Sequence, residues 1–422
     1  MSRLFFGLFL VVYQLIALHV IALPVLVAPL RGPGFRNGQW QALLHRKDGN
    51  DIVFNFEVKD SAGKKILYIR NAGEHLLVDD ITIKEDSVLI RLPFFESQLR
   101  AVVTSDGNLE GVWLKHGADN YQALPFKAFY GVSFRFPTGR KTETGNTGIT
   151  GRWQAVFRSP GGKDSSLRIG EFEEKDGIVK GTFLDPTGDL RFLEGVMDGD
   201  SLKLSCFDGG HAYLFRAKLE GMKITGGQFF SGAAGYETWT AYKDEAAKLP
   251  DEFSLTKLRE GAGPLDFSFR DIDSNTVSIR DQRFRGKVVL IQIMGSWCPN
   301  CMDETNFLST FYDQYHAKGV EIIGLAYERT TDFTRSQNSL RNFQQRFKVK
   351  YPMLITGVTV GDPQRAEKTL PQLEAIVGFP TTIFVDKAGN IEKIHTGFSG
   401  PGTDVHYEET KQEFYKIVDG LL

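Results

Sequence analysis

A five-residue segment, Gly38-Gln39-Trp40-Gln41-Ala42, returns as Gly151-Arg152-Trp153-Gln154-Ala155 with a single change. The offset then drifts by only a residue or two. Gly73-Glu74 answers Gly188-Asp189, Asp86-Ser87 answers Asp200-Ser201, Gly111 answers Gly226 and Tyr121 answers Tyr236. A period of about 115 residues makes the first half of the chain two copies of one unit, so one pattern of elements must serve both. Within each copy, alternating segments such as 52–58 and 201–205 are separated by turn signals such as Lys47-Asp48-Gly49-Asn50 and Asp198-Gly199-Asp200. This patterning predicts about eight antiparallel strands per copy. Such a meander must close into a barrel or stack as a sandwich to hide its edges. The 44 Gly, 33 Phe and 13 Tyr of the 422-residue chain suit strands joined by tight turns. The repeats are placed at 36–133 and 149–243.

The opening Gly-x-Trp followed by a meander resembles the start of lipocalin-like barrels, which enclose small apolar ligands. Trp40 and Trp153 are read as packing residues at the bottom of each unit, and Cys206 as a buried small hydrophobe. His45, His75, His116 and His211 have no metal-ligand spacing. The charged, Ala-rich stretch 244–262, with Pro250, suits a linker. A net charge of −2 offers no global field for nucleic acid, and 41% apolar content excludes intrinsic disorder. After Met1-Ser2-Arg3, residues 4–30 are nearly all apolar and long enough to cross a bilayer. Residues 1–30 are therefore expected to be either a cleaved secretory signal or a membrane anchor. Both put the remainder outside the cytoplasm, in a periplasm-like compartment.

Cysteine is scarce. Of Cys206, Cys298 and Cys301, two lie three residues apart, so no disulfide scaffold is available and the pair points to chemistry. The apolar run 288–294 has the pattern of a buried central strand and leads into Gly295-Ser296-Trp297-Cys298-Pro299-Asn300-Cys301. Phe307, Leu308, Phe311 and Tyr315 follow at helical spacing. Strand, Trp-Cys-x-x-Cys, helix places the first sulfur at a helix N-terminus, where free N–H groups and the helix dipole favour a thiolate. A zinc half-site would need a second Cys or His pair, and Cys206 lies in another domain.

Residues 263–422 resemble the thioredoxin superfamily, and within it the exported thiol–disulfide oxidoreductases of the TlpA/ResA type. Several features carry the resemblance. They are the entering hairpin 267–271 through 277–279, Arg285-Gly286-Lys287 before the central strand, the Trp297–Cys301 motif, Glu304, Gly378-Phe379-Pro380-Thr381-Thr382, and the closing turn 386–390. The fold class implied is multidomain, with two all-β antiparallel barrel or sandwich repeats followed by an α/β thioredoxin-like domain. The resemblance makes Cys298 the exposed nucleophile, Cys301 the resolving thiol, Cys298–Cys301 the redox disulfide and Pro380 a cis-proline facing the pair. Trp297, Pro299, Asn300, Phe379, Pro380 and Thr381 then contact substrate. General thioredoxins carry a buried carboxylate six residues before the first Cys, whereas here the residue is Gln292. Glu304 is therefore either the acid/base for Cys301 or a solvated first-turn residue serving the helix dipole. In the interval 327–378, Leu340, Phe343 and Phe347 have helical spacing, 359–371 reads as a polar loop, and a helix is expected near 371–377.

The implied activity is thiol–disulfide exchange with protein disulfides, more as reductant than oxidant, with no cofactor or metal, a separate electron donor, and membrane association through the N-terminus. A peroxiredoxin-like peroxide reductase is the nearest competing enzyme. It needs Thr or Ser three residues before its reactive Cys and Pro four residues before that Thr or Ser, where this chain has Gly295 and Ile291. A protein whose β repeats bind a ligand or partner is the competing non-enzyme reading.

Overall fold

The computed structural model describes residues 34–93, 96–117, 120–138 and 147–422. The apolar segment 1–30, expected to be a signal or anchor, lies outside the described residues. Among those described, no helix is long and apolar enough to cross a membrane.

The first repeat is a nine-stranded antiparallel meander between Gly38 and Tyr130, whose first strand, Gly38–Leu44, pairs with both Ile52–Ser61 and the last strand, Tyr121–Tyr130. Its two edge strands, Glu74–Val78 and Asp80–Lys84, are consecutive in sequence and separated only by Asp79. One residue cannot span a flat sheet, so the sheet must curl until its edges meet. The second repeat also has nine strands, between Gly151 and Lys243. Here Ser165–Lys175 pairs with both Gly151–Arg158 and Ile178–Asp185, which closes the ring. Each copy thus has nine strands where about eight were expected. In the first, Asp79 divides one run into two strands; in the second, the two-residue Gly188–Asp189 folds back on Ile178–Asp185.

The repeated motif has repeated geometry. Gly38 and Gly151 have φ of +126° and +125°, a region a side chain rarely adopts. Trp40 and Trp153 are fully buried, with Nε1 donating to the Arg36 and Ile149 carbonyls at 3.1 and 2.8 Å. Both are packing residues. The second barrel is filled by Phe157, Phe183, Phe215 and Trp239, whose rings contact one another. Cys206 is buried in the same core. Phe207, the next residue, faces the other copy, where its ring stacks on Phe54 at 4.1 Å and meets Trp113 edge-on, while Asn71 brackets its backbone N–H and carbonyl. The two copies therefore share apolar core.

The elements of the C-terminal domain are, in chain order, β1 (Ser268–Asp271), β2 (Thr276–Ser278), β3 (Val288–Met294), α1 (Pro299–Tyr315), β4 (Val320–Ala326), α2 (Phe333–Phe347), β5 (Met353–Ile355), α3 (Arg365–Thr369), β6 (Thr381–Val385), β7 (Ile391–Thr396) and α4 (Val405–Leu421). They build one seven-stranded sheet in the order β2-β1-β5-β4-β3-β6-β7. Central β3 runs parallel to β4 and antiparallel to β6, with all its side chains buried. Alternate residues serve opposite faces. Val288, Leu290 and Met294 pack with Leu308, Phe311 and Phe414, whereas Val289, Ile291 and Ile293 pack with Leu370 and Leu373. The expected helix at 371–377 is absent. The short α3 lies earlier in sequence, and Pro371, which has no N–H to continue the ladder, follows its last hydrogen bond, from Leu370 N–H to the Ala366 carbonyl. The stretch 244–262 does not swing free. Thr396 N–H donates to the Glu252 carbonyl, and Glu374 N–H to that of Lys257.

Candidate active site

The site is assembled where β3 ends. Gly295-Ser296-Trp297 carries the chain from the sheet to α1, and Cys298 is the helix N-cap in extended conformation, with Pro299 opening the first turn. Proline suits that place because the first-turn N–H groups have no partner within the helix. One of those groups, Cys301 N–H, points at the Cys298 sulfur at 3.2 Å. Cys298 and Cys301 are joined as a disulfide, with Cα atoms 5.2 Å apart. The Phe379-Pro380 peptide is cis, and the Phe379 carbonyl oxygen lies 3.5 Å from the Cys298 sulfur. Trp297 donates its indole N–H to the Tyr327 carbonyl at 2.8 Å and packs edge-on against the Phe379 ring.

Trp297, Pro299, Asn300, Phe379 and Pro380 are thus gathered around the two sulfurs. Thr381 is adjacent but turned inward, fully buried, with its hydroxyl donating to the Gly378 carbonyl at 2.9 Å. The expected exposure of Cys298 is not observed, since the residue is only 3% exposed and Cys301 is wholly buried. Two residues beyond Cys298, a turn of the second barrel lies against the first turn of α1 and the chain at Gly378 and Gly397. The Thr187 carbonyl accepts from the Asn300 side-chain amide at 3.1 Å and from Phe398 N–H at 3.3 Å.

Beneath the disulfide, Glu304 is also fully buried, which eliminates the solvated reading. It accepts from Gln292 Nε2 and Thr382 Oγ1, each at 2.7 Å, and Gln292 also reaches the Cys301 carbonyl at 3.4 Å. Gln292 and Thr382 are direct cross-strand partners on β3 and β6, so the sheet presents a polar pair to the first turns of α1. Burial pushes the Glu304 carboxyl up to about 7, against these two hydrogen bonds. Among the described residues no group of three His, Cys, Asp or Glu side chains is arranged to hold a metal ion.

Three features went unnoticed in the sequence. Glu328, just beyond β4, accepts from Ser296 N–H and Oγ at 2.8 and 2.7 Å, and burial raises its pKa. A carboxylate just past the apolar run 322–326 of β4, at the sheet end that carries the cysteines, was a usable signal. Arg191 of the second barrel pairs with Asp303 of α1 and with Glu74 of the first barrel, and lies 3.9 Å from Asp208. Burial opposes its charge, yet Asp303, Glu74 and Asp208 together hold the guanidinium pKa well above its usual value. Asp189 accepts from Gly400 N–H at 2.7 Å. Glu74 and Asp189 occupy equivalent places in the repeat, a clue that they could converge on one partner.

Comparison with known proteins agrees with this geometry. The Redoxin family model matches residues 260–410. A thiol-disulfide oxidoreductase ResA of Bacillus cereus is 26% identical over 163 residues, covering 38% of this chain and 78% of the relative. The ResA of Halalkalibacterium halodurans is 27% identical over 141 residues, covering 33% and 69%. A solved thiol:disulfide interchange protein of the thioredoxin family from Chlorobium tepidum TLS, 19% identical, covers 38% of this chain and 96% of its own, with a TM-score of 0.30. Behind its two β barrels, the chain carries a C-terminal redoxin domain with the thioredoxin-like fold of the thiol–disulfide oxidoreductases.

Proposed function

We propose that this chain works outside the cytoplasm and chiefly as a reductant of protein disulfides. The observation that carries this reading is the Cys298 sulfur at the N-terminus of α1, receiving the Cys301 N–H. In the reduced form that position stabilises a Cys298 thiolate. The thiolate attacks one sulfur of a substrate disulfide, so a Cys298–substrate S–S bond forms as the substrate S–S bond breaks and one substrate thiolate leaves. Cys301 then attacks the Cys298 sulfur, closing the Cys298–Cys301 disulfide and releasing the second thiolate. Two electrons pass to the substrate; the Cys298 proton is already in solvent when the thiolate attacks, the Cys301 proton is taken up by the base beside it, and the two departing substrate thiolates are protonated from solvent. A separate dithiol donor restores the reduced pair.

Glu304 accepts the Cys301 proton. With a pKa near 7 it has both the basicity and the ionised fraction for that task at neutral pH. Once ionised, one helical turn from Cys301, its carboxylate opposes a second anion there. That penalty on the reduced pair favours giving electrons away, which supports the reductive direction. Trp297, Pro299, Asn300, Phe379 and Pro380 form the docking face, and Thr381 anchors its backbone. Export is supported by the apolar segment 1–30. Insulin reduction with dithiothreitol as donor tests the assignment. Cys298→Ser is expected to fall to the uncatalysed rate, and undiminished turnover in that variant would overturn it.

A further inference from the structure

The second barrel does more than flank the redox domain. Its Asp185-Pro186-Thr187-Gly188 turn is wedged between three segments: the first turn of α1, the stretch leading into Pro380, and the chain after β7. A Cβ on Gly378 would stand 2.6 Å from the Thr187 methyl, and one on Gly397 would stand 2.7 Å from the Pro186 carbonyl oxygen. One on Gly188 would run into the Asn300 amide. The Thr187 carbonyl takes both the Phe398 N–H and the Asn300 amide, as an incoming extended peptide would. The turn is rigid in itself, because the Asp185 carboxylate accepts from Thr187 N–H at 2.8 Å and Thr187 Oγ1 at 2.7 Å. It is moored at its far end by Asp189 on Gly400 N–H and by Arg191 on Asp303.

We infer that Thr187 and its turn are the specificity-determining element of the redox site, seated against the first turn of α1 two residues beyond Cys298 so that small dithiols reach the disulfide while a polypeptide enters only after the turn withdraws. The inference rests on the oxidoreductase reading above. A four-carbon dithiol needs only a local opening at Cys298, whereas a polypeptide must take the Phe398 N–H and Asn300 amide that Thr187 now holds. Reactivity toward proteins is thus reduced by the fraction of time the turn is seated.

The full chain tests this in two assays: reduction of its oxidised form by dithiothreitol, and reduction of insulin by its reduced form. Asp185→Ala, which frees the turn, and Thr187→Tyr, which cannot seat against Gly378, are each expected to raise the insulin rate about five-fold or more while changing the dithiothreitol rate by less than about two-fold. An unchanged or lower insulin rate in a variant with native near-ultraviolet circular dichroism overturns the inference, as does a parallel rise in both rates. If one variant loses the native spectrum, the other is read. A wild-type chain whose disulfide dithiothreitol does not reduce would instead contradict the oxidoreductase reading.

Discussion

Glu304 lies in the second turn of α1 rather than the first, and its environment comes from residues far away in sequence: Gln292 on β3 and Thr382 on β6. From sequence its place on the helix after the cysteines was legible, but its turn and its burial were not, since burial depends on two strands meeting in register. Its pKa, raised from 4.5 to about 7, makes the protonated form the one the fold prefers. Its stabilising contribution is full below about pH 4.5 and is lost as pH rises through about 7, amounting to about 3 kcal/mol. Glu304→Gln, which cannot ionise, is expected to gain stability relative to the native chain between pH 5 and pH 8, measured by urea unfolding of both oxidised proteins. A constant difference across that range would show that Glu304 does not titrate there. The same variant is expected to slow insulin reduction about 100-fold at pH 7. The cysteine pair and Pro380 were legible because motif and flanking residues define them locally. Glu328 and Arg191 were not, because their partners are set by tertiary structure.

At the scale of elements, the repeat was the most informative signal. Period-two burial of Trp40, Ala42 and Leu44 reappears at Trp153, Ala155 and Phe157, so two strands of one sequence pattern have one packing role. Trp153→Phe keeps much of the apolar volume but loses the bond to the Ile149 carbonyl, and is expected to cost about 1 kcal/mol. Trp153→Ala opens a cavity in the second barrel and is expected to cost about 3–5 kcal/mol. Denaturant midpoints check both, and equal losses would mean that the indole hydrogen bond dominates. Strand count was underestimated because Asp79 divides a run without a Gly or Pro signal. The helix sought at 371–377 failed for an opposite reason, as Pro371 sits at the stop of α3 rather than at the start of a new helix.

Across the whole molecule, Arg191 holds three units together, with Glu74 in the first barrel, Asp208 in its own and Asp303 two residues beyond Cys301. Removing it leaves buried carboxylates without their cation, so Arg191→Met is expected to destabilise by about 3–5 kcal/mol. Because the lost contacts lie between units, the variant is also expected to be cut faster within 244–262 by a protease under native conditions. Unchanged cleavage would show that the barrels hold the redox domain without this residue. The kinds of fold, β barrels and a thioredoxin-like domain, were legible in the sequence, but how they touch was not, and that contact sets a barrel turn against Asn300 of α1 and the chain at Gly378 and Gly397. The central claim, that this covered pair serves as a reductant, is tested most directly by the reduction potential of Cys298/Cys301 in the full chain, equilibrated against glutathione or dithiothreitol buffers. A value near that of thioredoxin, about −270 mV, is the expected result, and a value near that of DsbA, about −120 mV, would contradict it.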